Sequence, residues 1–185
     1  MTSKIIPALL LFFCLNPGAL AQSLDATAPL PPLTIADKGE LLLAGEDFSF
    51  AEWNSNTNPG KVHVLQYFAG TMGDSKIFEP FTDLLQEKLD YRQYHVTTII
   101  NLDASLWGTT GFVVAEVKAS KKKFPQATIV LDAEGTGADI WGLGKKGAVL
   151  AILDKDGIVR FLTREPLSPE QMDSSLELVR SQIDS

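Results

Sequence analysis

Val62-His63-Val64-Leu65-Gln66-Tyr67-Phe68-Ala69, continuing into Gly70-Thr71-Met72-Gly73-Asp74-Ser75 and then Phe78-Glu79-Pro80-Phe81, is the stretch that decides how this chain folds. Its first eight residues are mostly apolar, rich in valine and aromatics, and have the length of a strand. Such a run predicts a strand in the middle of a sheet, covered on both faces. Gly70 and Gly73 predict a turn, with Asp74 or Ser75 placed to cap the following helix. Phe78, Phe81, Leu84, Leu85 and Leu89 recur at helical spacing and give that helix one apolar face. Pro80 falls inside the predicted helix, where its ring should kink it.

Reading outward, residues 96–102 predict a second strand and residues 112–124 a helix that stops before Pro125. Residues 127–131 predict a third strand. Residues 149–153 and 158–162 flank Asp154-Lys155-Asp156-Gly157, which is hairpin chemistry. Ser168, Pro169 and Gln171 make an N-cap, a proline at the first helical position and a capping-box partner. Met172, Leu176, Val179 and Ile183 then line the inner face of a last helix. On the N-terminal side, Leu41 to Leu43 predict a short strand, residues 47–53 a brief turn or helix, and residues 54–60 a polar loop. The order is βαβ, αβ, ββ, α, without repeats or a long linker. It predicts an α/β fold: a three-layer αβα sandwich around a central mixed sheet, with helices on both faces.

The first residues carry an address. Lys4 precedes an apolar stretch from residue 5 to residue 15, which has signal-peptide length and is too short to span a bilayer. Pro17-Gly18 ends it, and Ala19-Leu20-Ala21 is a small-x-small cleavage pattern. The predicted organisation is a signal peptide over residues 1–21, an extended or disordered proline-bearing lead-in over residues 22–36, and one domain over residues 37–185. The export route implied is to an extracytoplasmic compartment, with no stable membrane insertion.

Export removes the only cysteine in the sequence, Cys14, and with it the thiolate that disulfide exchange requires. It also removes Lys4, leaving 15 basic against 23 acidic residues. That balance repels nucleic acid, whose phosphates need a basic patch. The one basic cluster, Lys121-Lys122-Lys123, ends a predicted helix, where positive charge suits the helix dipole and a solvated cap is expected.

The element order resembles the thioredoxin-like fold, and residues 68–80 lie without gaps over the active-site turn of that fold. On this register Met72 and Ser75 take the two cysteine positions, Pro80 matches a helix-kinking proline, and the cis-proline position falls near Ala148. Both halves of a redox centre are therefore replaced. A second resemblance covers nearly the whole chain. Gly39-Glu40-Leu41, Trp53-Asn54, Gly60-Lys61-Val62, Leu65-Gln66, Ala69-Gly70, Thr97-Thr98-Ile99 and Leu153-Asp154-Lys155-Asp156-Gly157, in that order, are similar to the YtfJ family. That resemblance implies a small exported bacterial protein in the periplasm, and it carries over no catalytic residue and no cofactor.

The candidate binding site is the turn Gly70, Thr71, Met72, Gly73, Asp74 and Ser75, together with Gly147 and Ala148, which the thioredoxin-like register brings beside it. N–H groups at a helix start could hold an anionic group there. Asp74 opposes that, and an ordinary strand-to-helix connection is the simpler expectation. Asp154-x-Asp156-Gly157 departs from a calcium loop because Ile158 stands where a ligand belongs. His63 and His95 are too few for a zinc centre, so no metal is expected. Ser75, His95 and Asp103 can be assembled into a triad only on paper, without a Gly-x-Ser-x-Gly turn. Gly135-Thr136-Gly137 reads as a flexible loop. Two functions of different class remain. One is a binding or adaptor module using the groove for a peptide, protein or small molecule. The other is an enzyme using non-thiol chemistry there, with Ser75, Asp74 or Glu79 as its polar groups.

Overall fold

The computed structural model describes residues 24–56 and 60–185; the signal-peptide expectation lies outside them. At the centre is β3, Val62–Ala69, buried at all eight positions. Its C-terminal half leads through a 3-10 turn (Asp74–Lys76) to α1, Glu79–Lys88. Then come β4 (Tyr94–Asn101), α2 (Thr110–Lys123), β5 (Thr128–Asp132), α3 (Thr136–Ile140), β6 (Val149–Leu153), β7 (Val159–Thr163) and α4 (Pro169–Asp184). A hairpin of β1 (Thr34–Ala44) and β2 (Asp47–Asn54) precedes them all. The seven strands form one mixed sheet in the order β2-β1-β5-β4-β3-β6-β7. β3, β4 and β5 run parallel, with β6 antiparallel to β3 and β1 antiparallel to β5. The expected α/β sandwich with a central mixed sheet is the fold observed.

The two faces are unequal. Val62, Val64 and Phe68 of β3 pack with Phe81 and Leu85 of α1, Val117 of α2, and Leu176 and Val179 of α4. Leu65 and Tyr67, the alternate residues, face α3, with Ala138 and Trp141, and the lead-in, with Leu24, Leu30 and Leu33. The second face thus has one short helix, and the lead-in completes the layer. The Trp141 indole donates to the Pro31 carbonyl at 3.1 Å, and Thr27 N–H donates to the Val159 carbonyl at 2.7 Å. Residues 24–33 are therefore packed onto the sheet, not loose.

Several local expectations are corrected. Residues 47–53 form β2, not a turn or helix, because Phe48 to Ala51 pair with β1 across a turn in which Gly45 takes φ +63°. Pro80 stands in the first turn of α1, where its missing N–H has no helical partner to lose, and so no interior kink arises. Gly135, at φ +73°, is the residue from which α3 starts, so Gly135-Thr136-Gly137 is structured. Lys121 is not a solvated cap: it is buried, its ammonium donates to the Ala127 carbonyl at 2.6 Å, and burial lowers its pKa. Lys122 ion-pairs with Glu46.

Other expectations hold. Asp154 closes the β6–β7 turn by accepting from Asp156 and Ile158 N–H groups, both at 2.9 Å, and it binds the Arg160 guanidinium. Ser168 and Gln171 make the full capping box of α4.

Candidate functional site

The turn after β3 satisfies itself. Gly70 N–H donates to the Asn101 carbonyl at 2.8 Å, Thr71 N–H to Ala69, and Ser75 N–H to Thr71. The Thr71 hydroxyl donates to the Asp74 carboxylate at 2.6 Å and accepts from Asp74 N–H at 3.2 Å, while the Ser75 hydroxyl donates to the Met72 carbonyl at 3.1 Å. Asp74 and Ser75 therefore close the turn. Neither caps α1, whose N-cap is Phe78 without a side-chain bond. The donors that would have received an anion are largely spent.

Gly147 and Ala148 lie just before β6, whose Val149 stands opposite Tyr67, so they flank the same end of β3. Asn101, buried at the end of β4, links the two segments. Its backbone carbonyl receives Gly70 N–H and its side-chain amide donates to the Lys145 carbonyl at 3.1 Å. The glycines serve the chain's own packing. A Cβ on Gly147 would stand 2.0 Å from the Leu143 carbonyl oxygen, and one on Gly70 would stand 2.6 Å from the Ser105 hydroxyl. Gly73 faces open space.

Sequence reasoning missed the apolar surface around this turn. Met72 is 75 % exposed, Leu106 64 %, Trp107 101 % and Phe112 59 %. The loop carrying Leu106 and Trp107 is tied to the turn through the Ser105 hydroxyl, which donates to the Gly70 carbonyl at 2.9 Å. A tryptophan held wholly in water at the tip of a strand-to-helix loop is unusual, because large aromatics are normally mostly buried. The sequence signal was Leu106-Trp107-Gly108, two large apolar residues in a segment otherwise of loop composition.

Below the turn, a cleft of about 370 Å³ runs between α1 and α2 over β3, β4 and β5. Gly70, Thr71, Met72 and Ser75 line it; Gly73, Asp74, Gly147 and Ala148 do not. Its floor alternates along two strands, with Gln66 and Phe68 on β3 and Val96, Thr98 and Ile100 on β4. Gln66 stands opposite Thr98, and its amide donates to the Thr98 hydroxyl at 2.7 Å.

The remaining polar candidates are structural. His63 bonds Thr97 at 2.8 Å and His95 bonds Thr128 at 3.0 Å, with the two rings edge to face at 5.2 Å. Burial, then the neighbouring His95, lowers the His63 pKa to about 3. His95 pairs with His63 six strand positions before Asn101, so about 20 Å of extended chain separates it from the turn. No triad with Ser75 forms. Among the described residues, no group of three or more His, Cys, Asp or Glu is placed to hold a metal ion. On the second face, the buried Asp132 carboxylate accepts from Thr136 N–H at 2.9 Å, Gly137 N–H at 2.8 Å and the Tyr67 hydroxyl at 2.9 Å. Burial, then the Asp132 charge, pushes the Tyr67 phenol well above its ordinary range.

A parallel β3-β4-β5 core, two antiparallel strands after it and a turn leading into α1 define a thioredoxin-like α/β protein. The chain superposes with a TM-score of 0.57 and 17 % identity on a Chlorobium tepidum protein described as a thiol:disulfide interchange protein DsbE, over 87 % of this chain and 99 % of that one. The protein belongs to a family described as bacterial protein of unknown function (YtfJ_HI0045), whose model matches residues 24–182. It is 32 % identical over 163 residues to the Escherichia coli K12 uncharacterized protein YtfJ, covering 88 % of this chain and 89 % of that one. An uncharacterized Haemophilus influenzae protein is 30 % identical over 177 residues, 95 % of this chain and 96 % of that one. Among the described residues no helix is long and apolar enough to cross a membrane.

Proposed function

We propose that the exported chain acts in the periplasm as a redox-inactive binding module, which holds a segment of a partner protein at the end of the sheet formed by the turn at Gly70 to Ser75. The observation that carries this reading is the exposure of Met72 on that turn and of Leu106 and Trp107 on the loop that Ser105 ties to it, with Phe112 exposed at the start of α2. Aromatic and methionine side chains are the residues that anchor protein interfaces, and a lone exposed tryptophan provides a large contact area with little entropy loss. The fold supports the reading too, because Met72 and Ser75 occupy the turn where a thiol pair would sit and residues 22–185 contain no cysteine.

Two measurements test it. The mature chain should reduce insulin disulfides no faster than buffer with any reductant, since it lacks a thiolate; turnover above buffer would end the redox-inactive reading. In affinity capture from a periplasmic extract, Trp107→Ser should weaken retention of the partner by at least about tenfold, the cost typical of an interface anchor. Trp107 is fully solvent-exposed, so its loss should leave the fold intact, and unchanged retention in the folded variant would move the interface elsewhere.

A further inference from the structure

Gln66 interrupts an otherwise apolar face. Along β3 the side chains directed at α1 and α2 are Val62, Val64, Gln66 and Phe68, and along β4 their neighbours include Val96, Thr98 and Ile100. Gln66 is buried and Thr98 half-buried, and a polar pair there gives up part of its water, which an apolar pair would not miss, so it is costly as pure packing. Gln66 is 8 % exposed, and among the described residues Thr98 is its one hydrogen-bond partner. An amide has two N–H donors and a carbonyl acceptor. One donor and the acceptor are left over, on the floor of the cleft.

The cleft has the size of a small-molecule site, about 370 Å³ against roughly 300–1,000 Å³ for such pockets. α2 leaves this space open because the side chains it turns toward the floor, Val113, Val117 and Ser120, are short. Phe68, Val96, Ile100, Val117 and Ile129 supply apolar surface around the oriented Gln66–Thr98 pair, and apolar surface with a few placed polar groups is the usual form of a ligand site. Lys61 and Arg92 stand at one end, with the Arg92 guanidinium held by Asp90, Lys76 and Glu79 stand at the other, and Asp83 of α1 and Glu116 of α2 line the walls between them. None of these is a buried charge on the floor that would neutralise an ionised ligand.

We infer that the cleft between α1 and α2 binds a neutral small molecule with an apolar body and a carboxamide-type group, which pairs with the free donor and acceptor of Gln66. An amide complements both at once. A carboxylate of the same shape offers two acceptors and a charge, so it leaves the Gln66 carbonyl facing an anion between walls that carry Asp83 and Glu116, with Lys61, Arg92 and Lys76 only at the ends. This site goes beyond the partner-binding surface and does not depend on it.

The experiment is a two-dimensional amide NMR titration of the mature protein with 1-naphthylacetamide, and in parallel with 1-naphthylacetate, which shares its ring system. The amide should shift the Gln66 side-chain resonances and the Thr98 and Val117 backbone signals saturably. The carboxylate should bind at least about tenfold more weakly, the worth of one hydrogen bond to a buried group. Gln66→Met with Thr98→Val should lose at least tenfold in affinity for the amide while the thermal midpoint stays equal or rises. Val113→Phe, placed on the half-buried cleft wall, should block the same space should the double variant fail to fold. Trp107→Ser should leave amide binding unchanged, which separates this site from the partner surface. Absence of a saturable shift, equal binding of amide and carboxylate, or undiminished binding in the folded variants would each overturn the inference.

Discussion

Replacing Asp132 by alanine should destabilise the fold by about 4 kcal/mol, because each buried donor left without an acceptor costs roughly 1–3 kcal/mol. Three donors converge on this fully buried carboxylate: Gly137 N–H and the Tyr67 hydroxyl in buried bonds and Thr136 N–H in a part-buried one. The carboxylate also sits at the N-terminus of α3, where the helix dipole favours a negative charge. Without it, Gly135, Thr136 and Gly137 lose the contact that holds α3 over β5, and with α3 goes the seat of Trp141. A chain of this length should lose on the order of 10 °C in thermal midpoint. Asp132→Asn keeps one acceptor but places an N–H group against a donor, so it should fall between. Tyr67→Phe removes one donor to Asp132 and the acceptor of the Ala138 N–H, leaving one buried donor unpaired against three in Asp132→Ala, and should cost least, about 2 kcal/mol. Chemical denaturation of the three variants tests the ranking: a loss below 1 kcal/mol for Asp132→Ala would mean that the loop relaxes and finds other acceptors.

Acidification should destabilise the protein well above the pH at which its carboxylates protonate. His63 is buried against Thr97 and beside His95, and its pKa falls to about 3, against the ordinary value of 6.5 that it regains on unfolding. The folded state therefore resists a proton that the unfolded state accepts. Stability is fully present above pH 6.5, and it declines as pH falls from there toward the folded-state value. Between pH 7.5 and pH 4.5 the linkage amounts to about 2–3 kcal/mol from His63. His95, whose pKa is also lowered by burial, adds in the same direction. Urea unfolding at the two pH values, for the native chain and for His63→Gln, isolates the contribution, because the carboxylates are common to both. The variant should lose about 2 kcal/mol less on acidification. Parallel losses in the two proteins would place the acid sensitivity elsewhere.

The elements that could be read correctly are those whose signals lie within a few residues. β3 announced itself as a mostly apolar run of strand length, and it is buried at every position. The β6–β7 turn depends on Asp154 bonding residues two and four positions ahead, and the α4 cap depends on Ser168 and Gln171. β2 was hidden because its apolar residues divide between two faces: Phe48 packs with one core and Trp53 with the other, and Phe50 is 40 % exposed. Neither a helical nor an alternating pattern stands out, and the strand exists because β1 pairs with it. β1 in turn needs Gly39, at φ +69°, where a Cβ would stand 2.1 Å from the Ala51 carbonyl oxygen. Lys121 was misjudged for the same reason, since the carbonyl it reaches belongs to the next strand's approach, not to its own helix end.

At the functional end, the sequence by itself supplies the basis of the proposed redox-inactive reading. Cys14 is the only cysteine, and Met72 and Ser75 stand where the thioredoxin-like register has its thiols. It also determined the turn at Gly70 to Ser75 and the helix after it, because turns and apolar periodicity act over one or two helical turns of chain. Only the tertiary structure decided that this turn spends its donors on itself, that Asn101 joins it to Lys145, and that Trp107 is left in water beside it. The cleft belongs to the same category: Gln66 and Thr98 are 32 residues apart and meet because β3 and β4 are parallel neighbours in register. Its volume depends on how far two helices from separate crossovers stand off one sheet. Contacts at that separation are set by the balance of packing over the whole core, which no window of sequence contains.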